Sequence, residues 1–213
     1  MVKCNQCNRQ FKTQAALNQH RQASHQPSAN PPRRRAPARR TMPAQSNREG
    51  ELVIGRQELL LSLEVKKDAS ESKQVVKLLP TETALTWLNK LAGNFDQIEW
   101  LSASLVWKPA VGTTFNGSLI IGVDWNAAAN DAKRVVVQAT VPHVDTPVWQ
   151  QARLAMPANR LQSRKAYILK ADAAVDSSPG VVLVNAKTNK VADDTFLGDL
   201  WLDYRVRLMG PSA

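Results

Sequence analysis

Near its end the chain alternates: Leu200, Leu202, Tyr204, Val206 and Leu208 take every second place, with Asp199, Asp203, Arg205 and Arg207 among the residues between them. A period of two puts one face of an extended segment against a core and the other against water, the mark of a half-buried antiparallel strand. The same period recurs early, where Leu59, Leu61, Leu63 and Val65 alternate with Glu58, Ser62 and Glu64. Further strand-forming runs fall at 73–79, 98–108, 117–125, 147–156, 164–170 and 180–187, most of them separated by Pro, Gly, Asn or Asp. One helix is expected over 82–92, with an apolar stripe of Ala84, Leu85, Trp87, Leu88 and Leu91, and with Gly93 where a left-handed cap would fall. A second short helix is expected around 127–133. The expected fold is all-β: an eight-stranded antiparallel jelly-roll sandwich with one or two short helices in its long connections. An immunoglobulin-like sandwich is the alternative. It is disfavoured by the helix-bearing connection after the second strand and by the lack of cysteines in this part of the chain.

The charge is divided as sharply as the hydropathy. Ten basic residues precede position 49, namely Lys3, Arg9, Lys12, Arg21, Arg33, Arg34, Arg35, Arg39, Arg40 and Arg48, and Glu49 is the first acidic residue. The other 18 of the 28 basic residues balance all 18 acidic ones, so 49–213 is formally neutral and the whole net charge of +10 sits on the arm. A basic arm on a neutral body is what a polyanion-binding tail on a globular domain looks like. Within the arm, 26–50 holds five prolines and no apolar periodicity. Such a stretch buries too little surface to offset the entropy of ordering and is expected to be flexible. The arginine blocks 33–35 and 39–40 can fork onto phosphate oxygens of single-stranded RNA. The same runs also read as a nuclear localisation signal.

Ahead of the arm, Cys4, Cys7, His20 and His25 follow the spacing C-x2-C-x12-H-x4-H, which suits one zinc ion. Four protein ligands close the coordination shell, so the zinc is expected to be structural. Phe11 and Leu17 would form the small core, and Thr13 would cap a helix from Gln14 to about Ala23, placing Leu17 and His20 on one face. The two cysteines read as half a metal site and point to a reducing compartment such as the cytoplasm. The stretch 4–25 resembles a single C2H2 zinc finger. That resemblance would turn Thr13, Ala16 and Gln19 towards bases, yet none of these makes a strong bidentate base contact. A general RNA contact or a protein contact suits the finger better than sequence-specific DNA binding.

Three passages of the body carry a second resemblance: GRQELLLSLEV at 55–65, the helix-to-strand passage at 79–126 with its Trp-Leu pair and its closing Asp-aromatic, and GDLWLDYRVRLMGP at 198–211. In this order they are similar to the shell domain of coat proteins of small positive-strand RNA plant viruses, of the sobemovirus and tombusvirus type, in which a basic arm also precedes the shell. The resemblance implies a capsid protein that self-assembles into a closed shell and packages single-stranded RNA. It places the chain in the virion and, before assembly, in the host cytoplasm. A zinc finger ahead of the arm departs from that pattern. The Asp-x-x-Asp groups with which many relatives bind calcium are also missing, and Asp96 with Glu99 or Asp193 with Asp194 read as solvated loop charges.

The expected organisation is a zinc finger at 1–25, an Arg/Pro-rich arm at 26–50 and a jelly-roll shell domain at 51–213. The expected partners are further copies of the chain and single-stranded RNA. No apolar run reaches the ~18 residues of a membrane helix, and the polar opening does not read as a secretory signal. The body lacks a Gly-x-Ser-x-Gly elbow, a nucleophilic cysteine and a Gly-rich phosphate loop, and His143 with Asp145 reads as loop chemistry, so neither an enzyme nor a small-molecule substrate is expected. Trp87, Trp100, Trp107, Trp125, Trp149 and Trp201 read as core residues or intersubunit anchors. The competing functional reading is a cellular zinc-finger regulator that binds nucleic acid and uses the sandwich to hold a partner. A third is a coat protein whose finger suppresses host defence or recruits a host factor.

Overall fold

The computed structural model describes residues 1–24, 45–46 and 50–211. The chain divides into two compact units, Met1–Arg40 and Thr41–Ala213. In the first, strand β1 (Val2–Lys3) pairs antiparallel with β2 (Gln10–Phe11), and helix α1 follows over Gln14–Ser24. Asn8 turns the hairpin with φ 57°, a left-handed conformation that asparagine adopts more readily than most residues.

The second unit runs β3 (Gln45–Ser46), β4 (Leu52–Val65), β5 (Glu71–Lys77), α2 (Thr86–Ala92), β6 (Phe95–Pro109), β7 (Gly117–Asp124), α3 (Arg134–Ala139), β8 (His143–Pro147), β9 (Ala152–Ala155), α4 (Ala158–Leu161), β10 (Tyr167–Ile168), α5 (Ala174–Ser177), β11 (Val181–Thr188) and β12 (Thr195–Pro211). Its larger sheet has the order β10-β6-β12-β4-β3, with β9 also on β6, and the smaller sheet has the order β5-β11-β7-β8. All pairings are antiparallel. Early and late strands lie side by side in both sheets, as the wrapping of a jelly roll requires.

The closing alternation has the expected consequence. Leu200, Leu202, Tyr204, Val206 and Leu208 are all buried, and they meet Leu63, Val65, Trp100, Leu105 and Trp107 of the same sheet. Leu119, Ile121, Val123, Val182, Val184 and Ala186 face them from the other sheet. Each such aliphatic side chain contributes about 2 kcal/mol by leaving water. β11 is apolar without alternation because both its faces are covered. Val181 and Leu183, with Ile120 of β7, pack outward against Ala132 and Val137, the latter on α3. α3 lies so flat on β7 that a Cβ on Gly122 would stand 2.2 Å from the Thr140 hydroxyl oxygen.

The structure departs from the sequence expectation at several points. In β4, Leu61 opposes Leu200 and Leu59 opposes Trp201, so Leu60 is a bulge without a partner. The bulge reverses the inward set upstream of it: Leu60 is buried, Leu59 is 42% exposed, and Glu58 turns inward at 7% exposure. Its carboxylate accepts the Leu88 backbone N–H at 3.1 Å and the Tyr204 hydroxyl at 3.0 Å. Burial, and next the Glu58 charge, push the Tyr204 phenol well above its ordinary pKa. The helix begins at Thr86, not 82, because Leu85 adopts a left-handed φ of 56°, and Gly93 is right-handed, not the expected cap. The second short helix lies at Arg134–Ala139, not 127–133. The run at 147–156 divides between the two sheets, as β8 on β7 and β9 on β6. Where it crosses, the Val148 carbonyl accepts the indole N–H of the buried Trp107 at 2.9 Å.

Glu58 thus ties the first turn of α2 to β12. Glu58→Ala leaves a helix N–H and a buried phenol without their acceptor, and it should lower the unfolding free energy by about 1–3 kcal/mol. Tyr204→Phe should cost less, because Glu58 still receives Leu88. Urea unfolding of the two variants checks the order; equal losses would contradict it.

Candidate metal centre and nucleic-acid interface

The finger brings its donors together through local chemistry. Thr13 caps α1, accepting the Ala16 N–H on its hydroxyl at 3.3 Å. The helix then places Leu17, which is buried, three residues before His20. Phe11 of β2 sets its ring 4.8 Å from the His20 ring, tilted by 31°. The hairpin presents the two cysteines, with the Cys4 N–H donating to the Arg9 carbonyl and the Asn8 N–H to the Cys4 carbonyl. Cys7 Sγ lies 3.0 Å from His20 Nε2. The donor atoms of Cys4, Cys7 and His20 all lie within 4.8 Å of one another. A tetrahedral zinc with its usual bond lengths holds such donors about 3.4–3.8 Å apart, so this set fits one ion with a small adjustment, in which Cys7 and His20 move slightly apart. The Gln6 backbone N–H holds the Cys4 thiol below its ordinary pKa. The N–H and thiol of Cys7 and the Arg21 charge add to this, and burial opposes it. His25, the fourth expected ligand, lies outside the described residues.

Four of the expected RNA-binding residues lie on the described hairpin and helix of this unit. Lys3, Arg9, Lys12 and Arg21 are all exposed, and no acidic residue occurs anywhere in the unit's sequence to neutralise them. Arg33, Arg34, Arg35, Arg39, Arg40 and Arg48 lie outside the described residues. The end of the arm is described only at β3, which pairs with Leu52 and Val53 of β4.

In the body, His143 and Asp145 have separate partners. His143 Nδ1 lies 2.7 Å from the Thr140 carbonyl, whereas Asp145 receives Arg134 at 2.6 Å. Several of the body's charges are paired. Arg207 bridges to Glu99 at 2.9 Å and Glu51 at 3.5 Å, Arg153 to Asp203 at 3.2 Å, and Lys66 to Asp194 at 2.9 Å. The tryptophans split. Trp100 and Trp107 are core, but Trp87 is 40% exposed under the Arg56 guanidinium, and Trp201 lies under the Lys108 ammonium. These two cation–ring pairs were not legible in the sequence, since each joins residues from elements far apart along the chain.

Residues 26–213 match the family model of the viral coat protein (S domain), and residues 3–28 match that of the C2H2-type zinc finger. No curated protein matches the chain. Among solved structures, that of tobacco necrosis virus is 18% identical at a TM-score of 0.68, covering 80% of this chain and 87% of its own. The cocksfoot mottle virus structure is 16% identical at 0.63, over 74% and 94%. That of mud crab tombus-like virus is 14% identical at 0.65, over 84% and 87%. At these identities the likeness is one of fold.

Proposed function

Because the chain belongs to the viral coat protein family, we propose that many copies of it close into a shell and package single-stranded RNA through residues 1–50. As a coat protein it is a structural component of the virion and not an enzyme. Membership on 26–213 also decides against the cellular regulator. The observation that carries the packaging reading is the partition of charge: ten cations and no acid before Glu49, then a body of net zero.

The mechanism is counterion release. Lys3, Arg9, Lys12, Arg21, Arg33, Arg34, Arg35, Arg39, Arg40 and Arg48 displace cations condensed on the RNA backbone, a contact that reads charge and not sequence. The neutral body lets shell domains pack edge to edge without long-range repulsion, and a closed shell repeats the same contacts by symmetry. The working division is a finger at 1–25, an arm at 26–50 and a shell domain at 51–213. A finger match over 3–28 and a coat match from 26 onward support the first of these boundaries, and the second rests on the sequence. Newly made subunits act in the host cytoplasm, and the arginine blocks also suit nuclear import.

In the finger, Cys4, Cys7, His20 and His25 hold a structural zinc ion. The donor set supports this, being two thiols and an imidazole already gathered in one place. In so short a unit the ion supplies most of the folding free energy.

Two outcomes follow. If all ten cations meet phosphates, the slope of log affinity against log salt approaches about −7 per subunit, and replacing the five arginines of 33–35 and 39–40 by alanine shallows it by about 3.5. Salt titration of labelled RNA measures the slope. Electron microscopy should show nuclease-protected particles, and a protein that stays monomeric with RNA would sink the proposal. Second, the purified chain should carry zinc, which Cys4→Ser with Cys7→Ser abolishes along with the helical dichroism of α1. Shells should still form if the finger is accessory; failure to assemble would place it in the shell mechanism.

A further inference from the structure

The larger sheet has a second face, turned away from the core. On it Leu59 lies directly across from Trp201, and the Lys108 ammonium stands 3.8 Å from the Trp201 ring centre. Around the edge of β4, Trp87 of α2 lines the same shallow cavity as Leu59, with Lys90 on the rim. The Arg56 guanidinium sits 4.3 Å from the Trp87 ring centre. Two partly exposed tryptophans, each with a cation on its ring, are thus joined through Leu59. Glu58 lines the floor of that cavity and lies 3.9 Å from the Arg56 guanidinium, with its carboxylate already engaged by Leu88 and Tyr204. Two carboxylates flank Trp201 on this face: Asp199, beside Lys108 across the strands and taken up by the Ser62 hydroxyl at 2.7 Å, and Asp203, paired with Arg153 at 3.2 Å. Lys90 and Lys108 form no ion pair among the described residues.

We infer that this patch is a second surface for single-stranded RNA, on which bases stack against Trp87 and Trp201 while Lys90 and Lys108 take the adjacent phosphates. The inference rests on the packaging reading above. Aromatic rings interleaved with cations are what sequence-tolerant single-strand binding needs, because every base has a flat face and every nucleotide a charge. A guanidinium already stacked on indole adds a further flat platform for a base. A contact with a second copy would be centrally apolar and poor in lysine, whereas here lysines accompany both rings. The arm also joins the body at this sheet, since β3 pairs with Leu52 and Val53. At the usual strand rise, Leu59 lies about 20–23 Å from that junction, a distance that a strand of several nucleotides spans.

The test uses the full chain and a 4-thiouridine-bearing oligouridylate of about 12 nucleotides, within the site sizes of such surfaces. Ultraviolet cross-linking and peptide mapping should find Trp87- or Trp201-containing peptides as well as arm peptides. Cross-links confined to residues 1–50 overturn the inference. Trp87→Ala should weaken oligonucleotide binding about 5- to 100-fold. Lys90→Gln with Lys108→Gln, which removes two cations without placing a carboxylate opposite Asp199, should shallow the salt slope by about 1.4. Binding by the wild type that neither variant alters also overturns it. So does a Trp87→Ala chain that binds normally but no longer assembles, which would make the occupant a second copy. A wild-type chain that binds no RNA would instead remove the packaging reading itself.

Discussion

The fold depends on one constraint: the last strand of the chain must lie between the first and third strands of the jelly roll. β12 pairs with β4 from Thr195 to Leu208 and with β6 from Gly198 to Pro211. Every other layer of the core is built against its inward residues. A strand that arrives last and sits centrally makes the native contacts long-range, which slows folding but makes closure of the sandwich all-or-none. It also explains why the molecule keeps charge out of β12's inner face and uses it freely on the outer one. Arg205 and Arg207 alternate with Val206 and Leu208, and the inner set alone decides register.

Those parts of the fold that depend on the period of the chain were legible in the sequence. β12 was, because from Leu200 to Leu208 each of its inward places is apolar. β4 was legible as a strand but not in its facing. A bulge inserts one residue, and no local feature of LLLSLEV says whether Leu59 or Leu60 carries the core contact. The start of α2 was obscured for a related reason. Leu85 is apolar enough to extend the helical stripe, yet tertiary packing holds it left-handed and fully buried, and the helix takes its N-terminal acceptor from Glu58 on another strand. Such long-range substitution for a local cap leaves no trace in a window of neighbouring residues. The run at 147–156 misled because apolar content continues across a change of sheet.

The candidate sites divide along the same line. The cysteines and His20 are readable because a zinc site of this type requires its ligands at set spacings along a short stretch, and the cations of the arm because they cluster in sequence. The tryptophan patch is assembled from positions 56, 59, 87, 90, 108 and 201, which only the strand order brings together. From sequence these tryptophans read as core residues or intersubunit anchors, and Trp100 and Trp107 are core. Trp201 falls between the inward Leu200 and Leu202 of β12 and so faces outward, and the bulge in β4 turns Leu59 to the same face opposite it.

The charge architecture then acquires a physical meaning beyond its net value. In the body, Arg207, Arg153, Lys66 and Arg134 are matched to carboxylates within 2.6–3.5 Å, so part of the formal neutrality is met locally. Fields from such pairs die away within a Debye length of about 8–10 Å, and neighbouring copies meet little net repulsion. In the finger no carboxylate is present, and Lys3, Arg9, Lys12 and Arg21 stand on a folded hairpin and helix. Cations held by a folded unit lose less freedom on meeting a polyanion than cations on a proline-rich tail, so each contributes more affinity per charge. Within the packaging and zinc proposals, this gives the ion a role that needs no base-specific contact: by holding the hairpin and helix together it would fix four of the ten cations in space.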